Sequence, residues 1–397
     1  MLGITNGKIY TMAGQIIENG SILVENGVIK EIGPNVLMPE GIEVIDASNR
    51  VIMPGFIDAH CHVGTFGSGV GSKGIDVNEL SDPLTPQVRA IDGINPMDEM
   101  IDDGARGGVT TVATGPGSGN VVGGTFLVMK LHGHRVDDMI VKEPLAMKCA
   151  FGENPKGVYG ENGKAPMTRM GTASKLREII LQTIEYDGQI QVANESKDRS
   201  KMPKFDMKLE AMLPVIRKEI PLKAHAHQAD DIFTAIRIAK EFDLKLTLDH
   251  CSEGHLIAED LAKEGYPAIV GPTFGWKSKL ELRNKSFETP KILVEAGVKV
   301  AIMTDSPIIP IEALTMSAAL AHKAGLDEME ALKCITINPA EILEIEDRVG
   351  SLEVGKDADI VIWDKHPFDL QASPTHTIID GKVVFSSESP GTGDIDS

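Results

Sequence analysis

The chain has 397 residues, of which 42% are hydrophobic and 24% charged, a balance typical of a globular protein with one large and one smaller domain. Its formal net charge of −19, without any Lys/Arg run, argues against nucleic acid or an anionic membrane as a partner. The N-terminal residues lack an apolar core and no run of about 18 apolar residues occurs, so we expect neither a signal peptide nor a transmembrane helix.

Both ends of the chain show the sequence pattern of short strands joined by tight turns. Three Asn-Gly dipeptides within residues 1–53 separate apolar runs, and both residue types tolerate the positive φ of hairpin turns. An Asp-Gly dipeptide separates similar runs near the C-terminus. We therefore predict one small β-sandwich domain built from residues 1–53 and 355–386. Residues 387–397 are polar and are predicted to form a disordered tail.

The middle of the chain, residues 54–354, alternates short apolar runs with helical patterns. This alternation favours βα units and a parallel sheet. No G-x-G-x-x-G or Walker motif follows the first run, so a (β/α)8 TIM-like barrel is favoured over a nucleotide-binding open sheet. Seven runs are assigned as strands: 55–59, 110–113, 145–150, 222–224, 245–248, 268–270 and 299–303.

Imidazole and carboxylate side chains recur where these predicted strands end. In an extended chain, residues i and i+2 face the same way, so both imidazoles of an H-x-H motif can reach one ion. Functional groups of such barrels converge at the C-terminal ends of the strands. Imidazole and carboxylate suit Zn²⁺ or another divalent first-row metal. The residues predicted to meet there are His60, His62, His225, His227, His250 and Asp305.

These motifs resemble the amidohydrolase superfamily over nearly the whole chain. The opening P-G-F-I-D-A-H-C-H of residues 54–62 is specific in combination with His225, His250 and Asp305. Residues 350–361, G-S-L-E-V-G-K-D-A-D-I-V, resemble the segment that returns that family's chain to its β domain. The K-A-H-A-H and T-D-S motifs resemble the imidazolonepropionase-like and the Xaa-Pro or Xaa-Arg dipeptidase-like groups.

The resemblance implies a ligand set for one or two divalent ions, with Zn²⁺ expected. His60 and His62 would bind the first ion, and His225 and His250 would bind the same ion or a second one. Asp305 would bind metal and accept a proton from the attacking water.

Binuclear members of the superfamily need a bridging anion from the fourth barrel strand. The family uses a carboxylated lysine or a glutamate there, and this chain offers both Lys148 and Glu153. Lys148 is favoured because it lies between apolar strand residues. The alternative is that neither residue bridges and the site is mononuclear.

Other polar residues are candidates for substrate contact. His227 is expected to contact substrate or to support the metal ligands from behind. His255 is a further candidate for substrate contact. Asn154 and Arg169 are candidates for binding a substrate carboxylate. The simpler interpretation of each is a solvated side chain. The long segment of residues 64–104, between the first two predicted strands, is expected to cover the substrate.

The expected reaction is hydrolysis of a C–N bond in an amide, a cyclic amide or a dipeptide-like small molecule. One alternative is a mononuclear deaminase, which is less favoured because His225-Ala226-His227 stands where deaminases of the superfamily carry His-Ala-Glu. Another is a metal-binding protein without catalysis, which would leave Asp305 without a purpose. Homo-oligomers are expected by analogy with similar barrels.

The spacing of the cysteines indicates the redox compartment. Cys61, Cys149, Cys251 and Cys334 match neither a C-x-x-C metal motif nor a dense disulfide framework. We therefore expect buried thiols and a cytoplasmic location.

Overall fold

The structure is a computed structural model that describes residues 1–67 and 72–387. The predicted tail from residue 388 onward, and residues 68–71 of the predicted covering segment, lie outside these ranges. The strands are β1 Leu2–Tyr10, β2 Ile16–Glu25, β3 Val28–Gly33, β4 Glu43–Asp46, β5 Val51–Pro54, β6 Phe56–Cys61, β7 Val109–Thr114, β8 Val122–Lys130, β9 Ile140–Ala150, β10 Leu222–Ala226, β11 Leu246–His250, β12 Ala268–Val270, β13 Val300–Ile302, β14 Ile360–Trp363, β15 Pro374–Ile379 and β16 Lys382–Ser386.

The helices lie mainly between the strands of the second half of the barrel. Asp206 caps one of them by accepting from the backbone N–H groups of Lys208 and Leu209. No helix within the described ranges is long and apolar enough to cross a membrane. The α-helices are α1 Glu99–Arg106, α2 Val136–Met139, α3 Glu153–Gly160, α4 Arg169–Ser196, α5 Met207–Ile216, α6 Ala229–Glu241, α7 Ala258–Glu264, α8 Thr289–Glu295, α9 Leu314–Lys323, α10 Glu328–Lys333 and α11 Ile337–Ile342.

The first sheet joins the two ends of the chain. Its strand order is β16-β15-β14-β5-β1-β2-β3, and β4 pairs with β1. Asn26 (φ 53°) and Gly27 (φ 82°) form the tight turn between β2 and β3, as their residue types predicted. The other two Asn-Gly dipeptides, at residues 6–7 and 19–20, lie within β1 and β2 and form no hairpin turn. The boundaries of the β domain at residues 53 and 355 stay a prediction.

The second sheet is the barrel, and its eight strands follow one another in the order β6 to β13. Every neighbouring pair is parallel except those that include β8, which runs antiparallel to β7 and to β9. The predicted TIM-like barrel is therefore confirmed with one reversed strand. The reversal follows from chain length, because residues 115–121 and 131–139 are too few for the crossover that parallel strands require.

The barrel closes along a seam between β6 and the residues that follow β13. The backbone N–H of Asp305 donates to the His60 carbonyl at 3.2 Å, and the N–H of His62 donates to the Ser306 carbonyl at 2.8 Å. The Asp58 carboxylate accepts from the N–H and the hydroxyl of Thr304 at 3.0 and 2.5 Å. Predicted ligands therefore lie directly on the seam.

Apolar side chains fill the barrel and the layer between its strands and helices, with Ile, Val, Leu, Met and Ala predominating. The four cysteines are buried and free, as the sequence predicted. Burial raises the pKa of the Cys149 and Cys334 thiols to about 12, so both stay protonated at neutral pH.

Candidate metal centre

A first group of three side chains meets at the seam. The Asp305 Oδ1 atom lies 3.5 Å from His60 Nε2 and 3.3 Å from His62 Nε2. The Nδ1 atom of His62 donates to the Gly115 carbonyl at 2.8 Å. Because a carbonyl only accepts, Nδ1 is the donor in this contact, and the Nε2 atom of His62 faces the carboxylate.

A second group consists of His225, His227 and His250. One nitrogen from each lies within 4.8 Å of the others, and the ring centroid of His250 lies 4.2 Å from that of His225 and 4.5 Å from that of His227. The Nδ1 atom of His250 donates to the Gly271 carbonyl at 2.9 Å, which leaves its Nε2 atom as an acceptor. His225 lies on β10, His227 follows that strand, and His250 is the last residue of β11. The i and i+2 spacing predicted that His225 and His227 share a face.

Unusual backbone conformations aim two of these side chains. His250 has a φ of 75° and Asp305 has a φ of 56°, in the left-handed region that residues other than glycine rarely adopt. Strain of this kind is found preferentially at functional sites.

The buried imidazoles are held neutral. Burial lowers the pKa of His60, His225, His227 and His250 well below the ordinary 6.5, and the nearby Lys148 amino group acts in the same direction. Within the described residues, His225 has no hydrogen-bond partner at either ring nitrogen, and His250 has none at Nε2. Unpaired buried nitrogens are costly, and a divalent metal would satisfy them. The residues therefore fit a metal.

The Asp249 carboxylate, which the sequence did not single out, holds the His60 ring on its Nδ1 side. The Nδ1 atom of His60 donates to Asp249 Oδ2 at 2.6 Å. The amino group of Lys223 lies 3.1 Å from the same oxygen and donates to the Ala59 carbonyl at 3.0 Å. Such carboxylate–histidine contacts fix the ring orientation of metal ligands.

The two candidates for the bridging anion lie in different places. Lys148 is buried, and its Nζ atom lies 3.1 Å from His60 Nε2. Burial lowers the pKa of its amino group to about 8. Glu153 instead begins α3, where its Oε1 atom accepts from the backbone N–H of Glu281 at 3.2 Å. Gly152 carries the chain beyond the end of β9, so Glu153 begins α3. The contact holds the Glu153 carboxylate against the loop that carries Glu281.

The carboxylate that does face the second group is Glu281, which the sequence analysis missed. It is fully buried, and its Oε1 atom lies 3.8 Å from His225 Nε2 and 3.7 Å from His227 Nε2. The available signal was its position in the loop after β12, where functional groups of a barrel are expected. A single glutamate in a polar loop gives no spacing pattern that would distinguish it.

The remaining predicted contacts are dispersed. Asn154 lies on the rim, where its Oδ1 atom accepts from the Lys279 amino group at 2.5 Å. The Nδ1 atom of His255 pairs with the Thr289 hydroxyl at 2.9 Å, away from both histidine groups. Arg169 donates to Asp230 and lies 3.7 Å from Asp231, so acidic side chains already engage its guanidinium.

A cavity of about 900 Å³ opens beside Glu153 and Lys279, which places it next to Glu281. Residues 78–82 of the predicted covering segment close one side, since the Asn120 side chain donates to the carbonyls of Glu79 and Asp82 at 2.6 and 2.8 Å. Polar groups, two cations and two carboxylates line it: Asn78, Ser118, Asn154, Lys156, Lys279, Glu153 and Glu161.

Comparisons with known proteins identify the family and the fold. The model of the amidohydrolase family matches residues 51–384. The crystal structure of an amidohydrolase from Thermotoga maritima MSB8 is 42% identical, covers 97% of this chain and 100% of its own, and superimposes with a TM-score of 0.94. "Amidohydrolase tasK" of Hapsidospora irregularis is 30% identical over 92% of this chain, which spans 40% of that relative's length. An imidazolonepropionase of Brevibacillus brevis is 25% identical over 89% of this chain and 85% of its own.

Proposed function

This chain belongs to the amidohydrolase family and is a metal-dependent hydrolase of C–N bonds, and on that premise we propose that its substrate is a small amide, cyclic amide or dipeptide-like molecule. The observation that carries the proposal is the convergence of neutral, buried imidazoles with the Asp305 carboxylate at one mouth of the barrel. A cavity of about 900 Å³, whose wall includes Glu153 and Lys279 near Glu281, has the size of a small-molecule site.

The ligands proposed for the first ion are His60, His62 and Asp305, with Zn²⁺ as the metal that suits this set. When bound, such an ion polarises a carbonyl oxygen and lowers the pKa of water. Three protein ligands leave a position open for water or substrate, as in catalytic zinc sites.

Asp305 is proposed to move the proton. Its side chain is 14% exposed, whereas His60 beside it is fully buried, so the carboxylate can reach an attacking water from the mouth of the barrel. The buried imidazoles are poor proton acceptors, because burial keeps their pKa values low. Asp305 would therefore accept the proton of water and deliver it to the leaving nitrogen, as general base and then general acid.

Lys148 is proposed to bridge two ions after carboxylation by CO₂. A lysine amine must be neutral to react with CO₂, and burial lowers the pKa of Lys148 to about 8, which supplies the neutral form near pH 7. If Lys148 remains unmodified, its ammonium at 3.1 Å from His60 Nε2 would compete with an ion for the same lone pair.

The cavity wall suggests the kind of substrate. Lys156 and Lys279 line it together with Glu153 and Glu161, and a lysine ammonium there can pair with a substrate carboxylate. N-acyl amino acids and dipeptides carry a carboxylate near the scissile C–N bond, so they are the first substrates that we propose. The buried free thiols suit a reducing compartment, and we propose a cytoplasmic location.

The test combines metal content with turnover. Protein purified without chelator is expected to contain metal and to hydrolyse members of a panel of N-acyl amino acids, dipeptides and cyclic imides. Chelation should abolish turnover, and readdition of Zn²⁺ should restore it. Asp305→Asn should lower kcat by about 10²–10⁴-fold, the usual contribution of general acid–base catalysis.

Other outcomes would replace the proposal. Ammonia release from a heterocyclic amine, without amide hydrolysis, would identify a deaminase. A metal-loaded protein that turns over no member of either panel would be a metal-binding protein.

A further inference from the structure

We propose that two copies of this chain associate through the outer face of α4, packed antiparallel about a twofold axis. The face consists of Leu181, Ile184, Gly188 and Val192, which together are called the outer stripe. The inference is independent of the proposed function, because these four residues belong neither to the two groups of metal-binding side chains nor to the wall of the cavity of about 900 Å³.

The helix α4 carries apolar side chains on two opposite faces. Those of the inner face are buried: Leu176, Ile179 and Ile180. Those of the outer stripe are in solvent, where Leu181 is 55%, Ile184 43% and Val192 53% exposed. A surface helix of a globular protein usually has a polar outer face, so this helix has an apolar face without a partner in the described part of the chain.

The outer stripe is continuous along the helix. Its positions follow the spacing i, i+3, i+7 and i+11, which places all four within about a quarter of the helix circumference. Apolar side chains that are exposed singly need no explanation, but a contiguous patch is typical of an interaction surface.

Gly188 leaves a gap in the middle of this stripe. A Cβ atom at this position would meet no heavy atom of the described residues within 4 Å, apart from its own stretch of helix. Glycine weakens a helix interior, and packing inside the described chain does not require one here. A gap between apolar side chains is the kind of hole that receives a large side chain from a second helix.

A second copy of α4 fills this gap in one register. When the two helices are antiparallel and centred on position 186, Ile184 of each copy lies opposite Gly188 of the other copy. The two contacts are identical, as a twofold interface requires. The stripe therefore supplies both the projection and the hole.

The charges beside the stripe fit the same register. Eighteen residues separate Arg177 from Glu195, which is about five helical turns, so both stand on the same edge of the stripe. Their midpoint is again position 186, so Arg177 of each copy lies opposite Glu195 of the other copy. The Nε atom of Arg177 donates to Glu241 at 2.8 Å, but a guanidinium has five donors and can engage a second carboxylate.

One carboxylate opposes this association. Glu185 stands one residue from the centre, on the opposite edge of the stripe, so the Glu185 side chains of the two copies approach each other. Their like charges weaken the contact. Glutamates at positions 178, 185 and 195, together with the net charge of −19, disfavour an anionic membrane as the occupant.

The size of the stripe sets the strength of association. A helix of 28 residues is about 42 Å long and presents a face about 10 Å wide, or roughly 400 Å² per copy. A standard interface buries about 800 Å² per partner. We therefore expect a weak dimer that dissociates on dilution.

Sedimentation velocity of the full-length protein between about 1 and 100 μM measures this equilibrium. Wild type is expected to shift from monomer to dimer across this range. Leu181→Glu should weaken association by at least about tenfold, because twofold symmetry places the unpaired charge in the contact twice. Leu37→Glu is the matched control, since Leu37 is an 86% exposed leucine outside α4, and it should associate as wild type.

Gly188→Gln separates association from folding. A side chain at this position improves the helix, so the melting temperature of the monomer should not fall. The same side chain occupies the hole for Ile184 of the other copy, so association should weaken by at least about tenfold. A monomer of undiminished stability is the result that a purely structural role for Gly188 would not give.

Charge variants test the register. Glu195→Arg should weaken association by about 2–10-fold because it faces Arg177 of the other copy, and adding Arg177→Glu should recover part of this loss. Glu185→Gln should strengthen association by a similar factor, because it removes the repulsion beside the twofold axis.

A crosslink in wild type tests the same register without substitutions. Lys175 and Lys197 lie about 33 Å apart along one helix, beyond the reach of a short amine crosslinker. In the antiparallel pair Lys175 of one copy lies opposite Lys197 of the other copy, so the dimer band should contain this linkage.

Three results would overturn the proposal. Wild type could remain monomeric up to about 100 μM, well above the concentrations at which specific dimers form. The dimer could persist unchanged in Leu181→Glu and Gly188→Gln, which would place the contact elsewhere. A dimer that these variants disrupt but that lacks the linkage between Lys175 and Lys197 would refute the antiparallel arrangement.

Discussion

Asp249 precedes His250 in sequence, yet its carboxylate acts on His60 across the barrel. Asp249→Asn removes the charge that holds the His60 ring, so we expect metal binding at the first site to weaken about 10–100-fold. Competition with a chromophoric chelator measures this change. Asp243→Asn, an exposed aspartate paired with Lys218, is the control and should bind as wild type. Equal affinity in both variants would show that Asp249 does not position His60.

At the residue scale, periodicity decided what could be predicted. His60 and His62, and likewise His225 and His227, stand two apart at strand ends, so the strand geometry alone predicts that each pair shares a face. Asp249 and Glu281 carry no such pattern. Their partners lie on other strands or loops, and only the closed barrel brings them together.

At the element scale, the reversed strand β8 was not predicted from the sequence. Residues 122–130, which include Gly123 and Gly124, were not among the runs assigned as strands. The structure explains Gly124, since its φ is 122° and a Cβ atom there would lie 2.2 Å from the Val88 carbonyl. A close approach of the covering segment, rather than a turn, requires this glycine. The parallel strands were predictable because they read as continuous apolar runs.

The contribution of β8 to the site can be measured through Phe126. This ring is fully buried, lies 5.1 Å from the His60 ring, and has the Lys148 and Lys223 ammonium groups each 5.4 Å from its centroid. Phe126→Ala should lower the free energy of unfolding by about 3–5 kcal/mol, and Phe126→Leu by less, measured by urea denaturation. Phe205→Ala, at a 70% exposed position, should change it by less than about 0.5 kcal/mol. A similar loss at both positions would contradict this packing role.

At the scale of the whole molecule, a buried charge cluster joins the barrel to the sheet of the two termini. Lys130, at the end of β8, lies 2.6 Å from Asp359 and 3.0 Å from Asp357, in the segment that leads into β14. Burial lowers the pKa of Lys130, but the carboxylates of Asp359, Asp380 and Asp357 outweigh burial and raise it above 10.5. The resemblance of residues 350–361 predicted the return of the chain, but not this lysine, which lies on the strand that was missed.

Lys130→Met should leave Asp359 buried without its cation and lower the free energy of unfolding by about 3–5 kcal/mol. The double variant with Asp359→Asn should recover part of this loss. Because the pKa of Lys130 is raised on folding, the difference from wild type should persist up to about pH 10 and shrink as the pH rises further. Urea denaturation at several pH values measures the difference in unfolding free energy between wild type and Lys130→Met. A difference that grows above pH 10 would contradict a raised pKa of Lys130 in the folded protein.

The seam has a consequence for the order in which the chain folds. It joins Thr304 to Asp58, 246 residues apart, and the first metal site straddles it. Such a long loop is closed late, because its entropy must be overcome before the contact forms. The ion can therefore be captured only after the barrel has closed. Stopped-flow experiments should show that Co²⁺ slows unfolding and leaves the refolding rate unchanged. Faster refolding with Co²⁺ would mean that the ligands assemble before the barrel, and that the ion nucleates the fold instead of locking it.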